Sequence, residues 1–304
     1  MSILSPAARR TLMTIHRWTA LVFALPLAVL ILTGALLSFE PVLHAVNTVP
    51  GSLEAGRVAE LLDQHDPEGR ARALIWRSYD GTLEIAGVRP DAPLVLDPLT
   101  GEPRALGALA TAIRAAHNVH INLIGPLNPL VIASTAGFLV LATLGLLLGW
   151  PRFRNSLSGW HRGTAWLALP LLLLAPVTGL LISANITFGG GGSAPMHMGQ
   201  MAQPMSLRET VLAAGAQTDL SGMVWMRAMG PRTMMRYTHG PQFQGYFVTA
   251  QSLVPVPRNL PRAIHEGLMS VPGLLVVNLA LSLASMLLWV TGLWLWLSRR
   301  RRRA

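Results

Sequence analysis

Five of the nine histidines sit in patterns that ordinary packing does not require. His16-Arg17-x-Thr19-Ala20 recurs as His161-Arg162-x-Thr164-Ala165. Seventeen residues after each of these histidines comes a Thr-Gly pair, Thr33-Gly34 and Thr178-Gly179, and twenty-two after comes a serine, Ser38 and Ser183. The other three, His117, His120 and His265, each stand shortly before a long apolar run. Neutral imidazole is a strong ligand for a transition metal, and imidazoles facing the inside of an apolar helix bundle can bind a haem iron from both sides. A centre of that kind transfers electrons. Recurrence of the same histidine in two halves of a chain implies a shared role for His16 and His161. His265 pairs in the same sense with either His117 or His120, which are three apart and share a helix face. His44 has no counterpart in the second half and reads as structural. His65 and His239 read as surface residues.

What the chain lacks narrows the chemistry further. It has no cysteine, and all 24 basic residues are arginine. Disulfides, iron–sulfur clusters, zinc-thiolate sites, thiol nucleophiles and covalent haem attachment are therefore excluded, as are Schiff-base and P-loop lysines. Haem held by two histidines is thus haem b. There is no HExxH, GxGxxG or Walker pattern and no nucleophile–base arrangement, so the electron donor must be quinol or a separate cytoplasmic reductase. The net charge of +10 by itself would fit nucleic acid. Its distribution points elsewhere.

These histidines are positioned by spans. Only 12% of the 304 residues are charged, 51% are hydrophobic, and the mean hydropathy is +0.44. A bilayer core needs roughly 20 apolar residues of helix. Four stretches supply them, at about Trp18–Phe39, Leu130–Trp150, Thr164–Ala184 and Leu274–Leu297. The first reads as a span and not as a cleaved leader, because no small-residue site follows at Phe39-Glu40-Pro41. Pro26, Pro170 and Pro176 predict kinks. Arg9, Arg10, Arg17, Arg152, Arg154, Arg162 and Arg299–Arg303 flank one side with no acid among them, which predicts cytoplasmic termini in a plasma (inner) membrane. The remaining 13 arginines accompany all 14 acids. The basic excess is therefore a topology signal, with anionic lipid as its partner, and nucleic acid is excluded as one.

The expected organisation follows. Residues 1–40 form the N-terminus and first span, 41–116 an external module, 117–151 the second span, and 152–185 a cytoplasmic loop and third span. Residues 186–264 form a linker and second module, and 265–304 the fourth span and an arginine tail. Each external segment reads as a small α+β unit. The first has a helix at Leu53–His65, strands near Ala73–Trp76, Leu83–Val88 and Leu94–Leu96, and a turn at Asp97-Pro98-Leu99-Thr100-Gly101. The second has a helix at Ser206–Ala216 and strands near Gly222–Arg227, Thr233–Tyr237 and Tyr246–Thr249.

Taken in order, several motifs resemble the PepSY-associated transmembrane family: His16-Arg17-Trp18 with Thr33-Gly34, His120-x-x-Leu123, His161-Arg162 with Thr178-Gly179, and His265-x-Gly267 leading to Gly292-Leu293-Trp294-x-Trp296-x-x-Arg299-Arg300. The resemblance implies an integral-membrane, mainly α fold: a four-transmembrane-helix bundle with two small α+β, PepSY-like external insertions. It also implies haem b, two groups, held by His16 with His161 and by His265 with His117 or His120. The family includes integral-membrane siderophore reductases, so the resemblance implies electron transfer to a ferric siderophore or another ferric chelate. The alternative is a non-enzymatic module that regulates or scaffolds a partner, or handles copper through a Met-rich loop.

Two weaker signals remain. Met196, His197, Met198 and Met201 follow a glycine linker and suit weak Cu(I) binding, though a flexible loop in a Met-rich chain is the better account of them. Arg72, Arg77, Arg227, Arg232 and Arg236 alternate with Trp76, Tyr79, Trp225 and Tyr237, a pattern able to stack on an anionic aromatic chelate.

Overall fold

A computed structural model of the chain describes residues 5–90, 92–123, 125, 127–149, 154–188, 205–240, 242–267 and 274–301. The Met196–Met201 segment, its glycine linker and Trp150 lie outside them. The chain divides into two compact units, Met1–Ser38 with Ala115–Thr187 and Pro261–Ala304, and Phe39–Arg114 with Phe188–Leu260.

The first unit is helical: α1 (Pro6–Val22), α2 (Ala24–Leu37), the end of α5 (Ala108–Asn122), α6 (Asn128–Leu147), α7 (Leu157–Leu167), α8 (Leu169–Ser183), most of α10 (Leu260–His265) and α11 (Leu274–Arg301). Three stretches are long and apolar enough to cross a bilayer: Ala24–Asn47, which continues through α3 (Glu40–Asn47), Asn128–Leu147 and Val276–Arg301. The pair α7–α8 passes the same test together, bent by 61°. Leu25, Leu32, Val140, Leu174, Leu283 and Val290 all point outward. Such an apolar surface would be a liability in water and is what lipid requires.

The first and third spans are not the single helices expected at Trp18–Phe39 and Thr164–Ala184. Each is broken, at Phe23 and at Ala168, and the two breaks have nearly the same backbone angles (φ −96°, ψ 8° and φ −89°, ψ 1°). The cause is proline. Pro26 and Pro170 sit in the first turn of α2 and α8, where each lacks the N–H that would continue the ladder from the preceding helix. Phe23 fills the first break by lying against Gly137 of α6, where a Cβ would come within 2.5 Å of its ring. Ala168 packs with Leu172 and Ala142 at the second. The breaks let each span serve both halves of the repeat. α1 packs on α6 and α7 on α11, whereas α2 packs chiefly on α11 and α8 on α6.

The second unit corrects the expectation of two separate modules. The two insertions share one seven-stranded antiparallel sheet, in the order β3-β2-β1-β4-β5-β6-β7. Its strands are β1 (Ala73–Arg77), β2 (Thr82–Ala86), β3 (Leu94–Leu96), β4 (Met223–Met229), β5 (Arg232–His239), β6 (Gln242–Val248) and β7 (Leu253–Pro255). The seam is β1 against β4, with Leu74 opposite Met226. α4 (Ala55–His65) and α9 (Leu207–Gly215) cover one face. There Val58, Leu61, Val211 and Ala214 join Leu74, Leu83, Ile85, Met226 and Met235 in a single core. Neither half could bury its apolar face alone, which is why they fuse. Asp219 ties the halves together. Its carboxylate accepts hydrogen bonds from Gly51 N at 2.9 Å, Ser221 N at 2.9 Å and Ser221 Oγ at 2.7 Å, while Ser221 Oγ accepts from Leu53 N. Burial opposes its charge, but these hydrogen bonds outweigh burial and hold its pKa below the usual carboxylate value.

The arginine–aromatic surface is also smaller than expected. Trp76 is buried and donates from its indole to Ser221 O. Arg77 is buried in an ion pair with Glu84 at 2.8 Å, and the Tyr237 hydroxyl donates to Asp219 O. The stacks that remain are Arg227 on Trp225, Arg232 on Phe247 and Arg236 on Phe243.

Two outcomes follow for the full-length protein in detergent. Glu84→Ala leaves Arg77 buried without its carboxylate and should cost about 3–5 kcal/mol, while Arg77→Met with Glu84→Leu should come close to the parent. Thermal unfolding followed by protease sensitivity of the sheet checks both. Because its folded pKa is depressed, Asp219 contributes stability above the unfolded pKa of about 3.9, lost as pH falls through the lower folded value. Asp219→Asn should therefore flatten the acid limb of the stability curve; an unchanged limb contradicts the assignment.

Candidate functional site

All five histidines singled out by spacing belong to the helical unit. His120 and His265 are delivered in the same way. Each lies in the last turn of a helix, α5 or α10, and each helix is stopped by a residue in the left-handed region, Leu123 (φ 53°) or Gly267 (φ 71°). The Leu123 amide still bonds back to Val119 O, and the Gly267 amide to Ile264 O. For Leu123 this backbone is strained, because a branched side chain disfavours positive φ. The two imidazoles face one another with ring centroids 6.2 Å apart and planes at 51°. His117 lies one turn earlier on α5, on an exposed part of it. The histidine brought against His265 is His120.

Each ring is seated on a Thr-Gly pair of another helix. Thr33 Oγ1 lies 3.0 Å from His120 Nδ1, and Thr178 Oγ1 lies 3.1 Å from His265 Nδ1; both partners are 87 residues apart in sequence. A Cβ on Gly34 would stand 3.2 Å from His120 Cε1, and one on Gly179 would stand 3.3 Å from His265 Cε1. The glycine therefore leaves the ring room to lie close to the helix backbone while the threonine holds its edge. A third copy lies on α11. Thr291 Oγ1 is 2.8 Å from His161 Nδ1, and a Cβ on Gly292 would be 3.3 Å from His161 Cε1. His16 lies within electrostatic range of His161 and is turned towards the backbone of Leu141 on α6.

The direction of these hydrogen bonds can be derived. A threonine hydroxyl has one proton. Thr33 commits it to Val29 O at 2.8 Å, Thr178 to Leu174 O at 2.9 Å, and Thr291 to Leu287 O at 2.6 Å, each four residues back in its own helix. What remains towards the ring is oxygen lone pair, so Nδ1 of the histidine must donate. A neutral imidazole protonated at Nδ1 has a bare Nε2, which is the form that binds a metal. Among the described residues, no group of three or more His, Asp or Glu is arranged to enclose a metal ion. The two imidazoles that meet ring to ring are His120 and His265.

The remaining histidines do other work. His44 is buried beside the sheet, within 3.2 Å of Ser78 Oγ and edge-on to Tyr79 and Phe243. His65 bonds Gly101 O, and His239 bonds the Tyr246 hydroxyl. The sequence had shown Thr33 and Thr178 as repeated residues without giving them a partner. The signal for that partnership was the third Thr-Gly, at Thr291-Gly292, on a helix that carries none of the five histidines.

Nitrogen NMR of the histidines in the full-length protein should show His120, His161 and His265 protonated at Nδ1. Thr291→Val should remove that bond for His161 alone, at a cost of about 1 kcal/mol in stability; an Nε2-protonated His161 in the parent would contradict the geometry. The family described as PepSY-associated TM region matches residues 13–299. No curated protein matches the chain. With the match running from α1 to the arginine-rich end of α11, the chain belongs to the PepSY-associated transmembrane family and is a multi-pass membrane protein.

Proposed function

We propose that this protein is a haem-b electron conduit of the inner membrane that reduces an external ferric chelate, a ferric siderophore in iron acquisition. In this reading the helical unit is a four-helix bundle whose termini are cytoplasmic, and the fused sheet is a PepSY-like insertion on the external side. Two haems b are held in it, one by His16 and His161 near the cytoplasmic face and one by His120 and His265 near the external face. Electrons enter from quinol or a cytoplasmic reductase.

The observation that carries this reading is the His120–His265 pair. With a metal–nitrogen bond of about 2 Å on each side, two imidazoles that share one iron have centroids roughly 6 Å apart. The 6.2 Å separation fits, and donation from Nδ1 to the threonines would leave both rings an unprotonated Nε2. A haem iron with two such ligands changes between ferric and ferrous states and passes one electron at a time. The chain's own residues do the rest. Thr33 and Thr178 hold the tautomer and the ring angle, Gly34 and Gly179 let the rings approach the helix backbones, and apolar helix faces exclude water. Reduction of a ferric chelate to Fe(II) weakens its hold by hard oxygen donors, which frees the iron.

Expression with ample haem, followed by a dithionite-reduced spectrum, tests the proposal. Soret and α bands are expected at two haems per chain. His120→Ala and His265→Ala should each remove the same haem, His16→Ala and His161→Ala the other, and His117→Ala neither. A ferric chelate added to the reduced protein should reoxidise it. A purified parent protein with no haem bands sinks the reading.

A further inference from the structure

The three Thr-Gly seats have a fourth counterpart in which the threonine is missing. His120, His265 and His161 are turned towards the backbones of Leu30, Ala175 and Leu288, and the seating threonine follows each of these by three residues, at Thr33, Thr178 and Thr291. His16 is turned towards Leu141, and three residues on stands Leu144, followed by Gly145. A glycine stands at the matching position, but nothing lies within 4 Å of where its Cβ would be, so neither the hydroxyl nor the glycine seats the His16 ring. The neighbouring Thr143 bonds Leu139 O in its own helix and is exposed. His16 Nδ1 is consequently buried without a hydrogen-bond partner, in contrast to Nδ1 of the other three.

Resting on the haem reading above, we propose that His16 is the one axial imidazole of the four without a positioning partner, and that the centre it shares with His161 is a site for a small neutral ligand, such as a diatomic gas, that displaces it. An Nδ1–H donated to an oxygen fixes the ring and raises the basicity of Nε2, and loss of such a partner typically weakens metal binding by roughly 10–100-fold. Thr33, Thr178 and Thr291 are positioning residues in this sense, acting on the iron only through the imidazole. At the His120–His265 centre both ligands are buttressed; at the other, only His161 is. With haem bound, His16 would be the ligand that gives way to the incoming molecule while His161, held by Thr291, would stay; the exchange of one neutral donor for another would change no electron count.

The probe is carbon monoxide added to the dithionite-reduced full-length protein in detergent, read by the shift of the Soret band. One of the two haems should bind it, and the doubly substituted His120→Ala/His265→Ala protein, which keeps the His16 centre, should retain that binding. Leu144→Thr supplies a hydroxyl able to bond Val140 O, as Thr291 bonds Leu287 O, and should weaken carbon monoxide binding at least about tenfold. Thr291→Val should strengthen it and Thr291→Ser should not, while Thr33→Val should make the His120–His265 centre reactive as well. The proposal is overturned if carbon monoxide binds the His120–His265 centre first, binds neither haem, or binds the Leu144→Thr protein as it does the parent. Failure of the haem reading itself is visible before the gas is added, as missing bands in the reduced spectrum.

Discussion

The structure depends on where one hydroxyl proton goes. In an apolar helix a threonine has no water to satisfy it, so it bonds the carbonyl four residues back in its own helix. That local bond fixes the polarity of everything beyond it. The oxygen is left as an acceptor, the imidazole that meets it must donate from Nδ1, and the other ring nitrogen is left bare. A serine would bond in the same way but with more rotational freedom, since the β-branch of threonine limits its χ1. The adjacent glycine matters as much, because a threonine beside a larger residue would hold the ring away from the helix. Thr-Gly is thus a two-residue device, one residue setting the tautomer and the other the distance.

The duplication explains why such devices come in pairs. The threonine–histidine bonds run within a repeat: Thr33 to His120 in the first, and Thr178 to His265 and Thr291 to His161 in the second. The contact between rings, His120 with His265, runs across the repeats. One half alone can therefore orient an imidazole but cannot oppose it with another. The broken spans serve the same end, because the breaks at Phe23 and Ala168 let α2 reach α11 and α8 reach α6. A straight helix in either position would pack along one neighbour only.

Much of this was legible in the residues. The duplicated His-Arg and Thr-Gly patterns singled out histidines that the helical unit gathers. Most strands of the sheet fell within a few residues of their expected limits. The choice between His117 and His120 was not legible, because both lie on one face of α5 and only the turn at Leu123 decides which ring meets Thr33. The helix breaks were read as kinks, since a proline announces a lost hydrogen bond but not how far the chain turns there. The fused sheet was hidden for a different reason. Pairing of Leu74 with Met226 joins residues on either side of two spans, and no local pattern reports on a partner that distant. Arg77 and Trp76 are buried where the pattern predicts a surface, because alternation marks two faces of a strand without saying that both are covered.

That long-range seam constrains assembly. β1 and β4 are separated in sequence by α6, α7 and α8, so the sheet cannot close until those helices have been made. Contacts between residues so far apart form late, since the entropy of closing a long loop must be met before the pairing contributes anything. Inserted spans shorten that loop in effect, because a helix fixed in the bilayer contributes little freedom to the chain between its ends. The sheet is in this sense downstream of the helices. Its β1 edge remains unpaired until the second insertion arrives, and Asp219, which bonds Gly51 across the two insertions, is the residue whose charge closes that junction.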